Sequence, residues 1–128
     1  MAQDRDSGAQ ADRWGRDQAK NIATSIGAQM VRNGSNEVVY KNDRAVIKGA
    51  RIATTKVGVS YKMLEHIDAV LGAFENSNGT YRIIRLSAKD YKASMKPTRS
   101  KGPSANRVGT VDVAVFDQRG VNIGTVRV

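Results

Sequence analysis

The chain has 128 residues, with 21 lysines and arginines against 12 acids, a net charge of +9 and no cysteine. That length suffices for one domain with its own core, while the lack of cysteine and the single histidine, His66, exclude disulfides, thiolate metal sites and a multi-histidine zinc centre. No apolar run approaches the roughly 20 residues of a membrane span and no secretory signal opens the chain, so the excess positive charge points to a polyanion partner in the cytoplasm.

Residues 1–12 are small and polar and are expected to be a flexible lead into a single α+β domain over 13–128. Ala19, Ile22, Ala23, Ile26 and Met30 then fall on one helical stripe. Ser7 or Asp12 is suited to cap that helix and Gly34 to stop it. The stretch NEVVYKNDRAVIKGAR, residues 36–51, predicts two strands around a turn at Asn42-Asp43. In that register Glu37 lies opposite Lys48 and Val39 opposite Val46. Residues 53–61 predict a loop or irregular strand, and Ser60 to His66 a short helix. Ile67–Phe74 and Thr80–Leu86 flank the turn signal ENSNGT and predict a second hairpin. Ser87 is placed to cap a helix from Ala88 to Met95, which Pro97 ends. Residues 96–107 predict a loop. VGTVDVAVF and VNIGTVRV predict a third hairpin around a turn in which Gly120 takes a positive φ. The expected fold is α+β: a leading helix, three β-hairpins in a mostly antiparallel or mixed sheet, and one or two further short helices.

Several chemistries lack their residues. There is no GxxxxGK[ST], no GxGxxG, no GxSxG and no aromatic RNA-binding strand. His66 suits a surface or capping position, and Trp14 suits packing at the helix start better than stacking on a base. Glu37 and Lys48 are different. Directly opposed side chains on a hairpin lie about 5 Å apart. A carboxylate beside a lysine is what a metal-dependent nuclease needs to hold Mg²⁺ and steady a phosphate. The same pair also makes an ordinary cross-strand ion pair, stabilising by about 0.2–1 kcal/mol.

On these residues the layout resembles the restriction-endonuclease-like, or PD-(D/E)xK, nucleases. Those have a leading helix, then a hairpin with an acid on one strand and (D/E)xK on the next. The matching residues are Glu37 and Val46-Ile47-Lys48, followed by a basic "GAR", with WGRDQAKNIATSIGA in the place of the leading helix. The outline covers residues 14–86. The resemblance implies Mg²⁺-dependent phosphodiester hydrolysis, with Glu37 as metal ligand and Lys48 as the catalytic lysine. Position 46, where the second acid belongs, is valine. Asp43 would sit about 15 Å along the strand from Lys48. Asp17 points away from the apolar stripe. Asp68, which opens a later strand, stays open and is taken as the candidate second ligand that the resemblance requires.

The bases fall into two groups. Lys41, Arg44, Lys48, Arg51, Lys56 and Lys62 have only Asp43 between them, and Lys92, Lys96, Arg99, Lys101 and Arg107 have no acid between them. From these, Arg44, Arg51, Lys56, Lys62, Lys96, Arg99, Lys101 and Arg107 are taken as contacts to DNA or RNA. The expected function is nucleic-acid binding, with endonuclease activity through the resemblance. The alternatives are a non-catalytic DNA- or RNA-binding subunit and a module for an acidic protein. A homodimer is left open.

Overall fold

The computed structural model describes residues 18–31, 36–97 and 107–127. The predicted flexible lead, Ser7, Asp12, Trp14, Asp17, Gly34, Arg99 and Lys101 lie outside them. The apolar stripe does form a helix, α1 (described over 18–26), but it is shorter than its spacing implies. Gly27 stops it, with φ +76. The Ala28 N–H donates to the Ala23 carbonyl at 2.8 Å and the Gly27 N–H to Thr24 at 3.4 Å, a Schellman ending. Met30, predicted on the helix, instead lies in a two-residue strand β1 (Gln29–Met30) that pairs with β2 (Glu37–Tyr40).

A six-stranded sheet runs in the order β1-β2-β3-β5-β6-β9, where β3 is Asp43–Ala50, β5 Ala69–Glu75, β6 Tyr81–Ser87 and β9 Val121–Val126. All its pairings are antiparallel except β3 with β5, which is parallel. A parallel pair needs a crossover, and here it carries β4 (Lys56–Ser60) and α2 (Tyr61–Leu64). The segment expected as loop or irregular strand is thus strand β4. It joins a second sheet, in the order β4-β8-β7, with β8 (Val108–Asp112) and β7 (Lys96–Pro97).

Ala19, Ile22 and Ala23 of α1 pack on one face of the large sheet, against Val38, Ala45, Ile47, Leu71 and Ile83. On the other face Val46, Val70, Phe74, Ile84 and Leu86 meet the small sheet, α2, α3 (Ala88–Ser94) and α4 (Val113–Arg119). Covered on both sides, β5 is apolar nearly throughout, AVLGAFE. The strand expected over Ile67–Phe74 is thus present as β5, from Ala69 to Glu75. Ser60 and Ser87 cap α2 and α3, accepting from the Met63 and Asp90 N–H groups at 3.1 Å.

The α+β class with a mixed sheet is as expected. The third hairpin is not present: β8 pairs with β4 and β7, β9 with β6, and VAVFDQR between them is helix α4. Its β-branched residues favour strand locally, but tertiary packing wins. Phe116 is fully buried between Phe74 and Tyr91, with ring centroids at 5.1 and 6.2 Å. Burying such a side chain stabilises by about 1.5–3 kcal/mol. Gly120 has φ −85, not a positive value. Its lack of a side chain serves space, since a Cβ there would lie 2.6 Å from the Phe116 carbonyl.

Candidate nucleic-acid interface

The β2–β3 turn is Lys41-Asn42, with φ 48 and 73, not the expected Asn42-Asp43. Two positive φ values give the primed turn that suits strand twist. Moving the turn by one residue moves the register by two, so Glu37 pairs with Val46 rather than Lys48. An even shift keeps every side chain on its face. Glu37, Val46 and Lys48 therefore share the face that carries the small sheet, with Lys48 diagonal to Glu37 and level with Gly72 of β5.

Glu37 is buried, at 3 % exposure. Arg44, diagonal to it on the other side, places Nη2 2.8 Å from Glu37 Oε2. The Arg44 side chain is half exposed, so it reaches in from solvent to hold a buried carboxylate. The Arg44 main chain is held by Asp68: the Arg44 N–H donates to Asp68 Oδ2 at 3.0 Å, and the Asp68 N–H donates to the Arg44 carbonyl at 2.7 Å. Glu37 and Asp68 thus grip one arginine by different atoms, with strand β3 between them. Among the described residues no three Asp, Glu, His or Cys side chains group as a metal site.

Other acids are also turned to internal work. Asp43 Oδ2 accepts from Arg85 Nη2 at 2.8 Å. Asp117 on α4 takes two bonds from Arg82, at 3.0 and 2.9 Å, which raises the Arg82 pKa. Arg82 also donates to Asn76 at 3.0 Å and stacks over the Phe74 ring. Glu75 Oε1 accepts from the Ile52 N–H at 2.9 Å. Most of these partners lie far apart in sequence, and even the Glu37–Arg44 contact, diagonal within one hairpin, depends on a register set by the turn.

The first basic group is divided by the fold. Arg44 begins β3 and Arg51 follows its end, about 23 Å away by strand rise. Lys56 is exposed at the start of β4, level with Asp112. Lys62 on α2 and Arg107 before β8 are exposed at the other end of the small sheet, and Lys96 on β7 is exposed midway along it, level with Thr110. His66 is exposed after α2.

No protein-family model matches the chain. No curated protein matches it either. Among solved structures it is similar to the Hjc protein of Archaeoglobus fulgidus, a Holliday junction resolvase from an archaeal hyperthermophile. The two share 10% identity over 85% of this chain and 91% of that one, with a TM-score of 0.46, a coarse likeness of fold.

Proposed function

We propose that this chain binds nucleic acid by its phosphate backbone, without hydrolysing it at the β2–β3 hairpin. The observation that carries this reading is the direction of the charges. Glu37, Asp43 and Asp117 each hold an arginine, and Asp68 and Glu75 accept main-chain N–H groups. Lys41, Lys56, Lys62, Lys89, Lys92, Lys96 and Arg107 are exposed. With these acids engaged and the bases exposed, the net charge of +9 gives a positive field at the surface. Titrating labelled DNA and RNA at several salt concentrations tests it. Log K against log salt should have a slope several units negative, about −0.9 per phosphate contact on duplex DNA. No binding to any nucleic acid at about 50 mM salt would overturn the reading.

Hydrolysis is the second reading, favoured by the register. Glu37 faces position 46, where the resemblance places the second acid, and Lys48 shares that face. The described donors do not fit Mg²⁺. The Glu37 carboxylate holds a guanidinium and Val46 is 1 % exposed core. Asp68 is engaged with the Arg44 main chain. The expected result is no Mg²⁺- or Mn²⁺-stimulated cleavage of single- or double-stranded DNA or RNA. Cleavage that Glu37→Gln abolishes while binding persists would transfer the function to hydrolysis.

A further inference from the structure

We infer that Lys62 and Arg107, at one end of the three-stranded sheet, and Lys96, midway along it, form the surface that seats the nucleic-acid backbone. The inference rests on the nucleic-acid reading and adds a place to it. The small sheet is electrostatically polar. Among the described residues Asp112 is the one acid on its three strands, and it sits at one end, level with Lys56. At the other end the ladder runs one step past Ser60 and Val108, because the Tyr61 N–H donates to the Arg107 carbonyl at 2.9 Å. That step sets Lys62, the next residue, beside Arg107.

Antiparallel β7 brings Lys96 level with Thr110 and Pro97 level with Gly109, so a third base stands midway along the sheet, three residues along β8 from Arg107. With neighbouring strands about 4.8 Å apart and about 3.3 Å of rise per residue, the Lys96 and Arg107 main chains lie about 11 Å apart. The sequence keeps acids away from these bases: there is none from Ile52 to Leu64 or from Tyr91 to Val111. Glu65, exposed after α2, is the nearest acid along the chain.

The outward surface is also low. Val57, Val59 and Val111 point into the core, so the row Gly58, Thr110, Lys96 faces out. Gly58 contributes no side chain to it, and a Cβ there would lie 2.9 Å from Val108 Cγ1. Thr110 adds a hydroxyl, which donates to the Lys96 carbonyl at 3.3 Å.

The test compares two triple variants of the full chain with equal charge loss. One is Lys62→Ala, Lys96→Ala, Arg107→Ala. The other is Lys20→Ala, Arg119→Ala, Arg127→Ala, on α1, at the end of α4 and after β9. Both are exposed sets and should melt like the wild type. Fluorescence anisotropy with duplex DNA, single-stranded DNA and duplex RNA of one length, and with polyglutamate, reads the result. The first triple should lose about tenfold or more in affinity at low salt and flatten the salt slope by roughly 0.9 per lost contact on duplex DNA. The second should change both far less. If the first triple fails to melt cooperatively, the three single substitutions should each flatten the slope by about one unit. Equal losses in both triples, with the wild type binding, would overturn the inference and leave the nucleic-acid reading standing. Wild type that binds no nucleic acid overturns both. Polyglutamate bound as tightly as duplex, and lost in the first triple, would reassign the patch to an acidic protein.

Discussion

Arg44 shows how one residue can be half legible. Its exposed charge is visible in the sequence, and so is Glu37 on the facing strand. That they pair is not, because the turn residues decide the register, and Lys41 had no obvious reason to adopt a positive φ. The resemblance drew attention to Glu37 and Lys48, and the fold does bring them to one face. What it could not show is that Arg44, not a metal, meets the carboxylate. A stability prediction follows from that contact. Arg44→Ala takes the guanidinium from a buried carboxylate and should destabilise by about 1–2 kcal/mol, less than a fully buried pair because Arg44 is half exposed. Glu37→Gln/Arg44→Ala together should cost less than the sum of the single changes. Urea melts of the four proteins measure that coupling, and additive losses would show that the 2.8 Å contact contributes nothing.

At the scale of elements, the readable parts are those with a local chemical cause. Ser60 and Ser87 cap their helices as their positions suggest. The second hairpin is found because β5 is apolar throughout and Asn76 to Thr80 carry turn residues. Two elements escaped. Gly27 is hidden as a stop because Ile26 and Met30 continue the apolar spacing on either side of it. Helix α4 has the local pattern of a strand, and its fate rests on Phe116 meeting Phe74 and Tyr91, contacts between distant parts of the chain. The two stops and caps can be weighed by substitution. Ser87→Ala should cost about 1 kcal/mol through the lost cap. Gly27→Ala should cost about 1–2 kcal/mol from backbone strain alone, because nothing lies within 4 Å of a Cβ there. Thermal melts check both, and a Gly27→Ala protein as stable as wild type would mean that α1 ends some other way.

For the whole molecule, composition spoke most clearly and topology least. The α+β class, the mixed sheet and the basic character were all visible in the chain. The parallel β3–β5 pair and the second sheet were not, since each joins strands that no turn connects. The charge excess carries its own consequence for stability. Exposed like charges repel in the folded state, and salt screens them within about 10 Å at 0.1 M. Raising NaCl from about 20 to 200 mM should therefore raise the melting temperature by a few degrees. A fall would mean that the Glu37–Arg44, Asp43–Arg85 and Asp117–Arg82 pairs, which salt weakens, outweigh the repulsion.

The crossover between β3 and β5 also fixes an order of events during synthesis. Strand β4 leaves the ribosome early, yet its only described strand partner, β8, is made after β5, β6 and α3. The same holds for β6, whose outer neighbour β9 is the last strand. The Tyr91 hydroxyl donates to the main-chain carbonyls of Val57 and Gly109, one from each era of synthesis. A nascent chain can therefore assemble the middle of its large sheet while β4 waits with bare ladder groups. Such a waiting edge is where a half-made protein sticks to its neighbours. Quality control on the ribosome would meet this chain at β4, well before its basic surface exists.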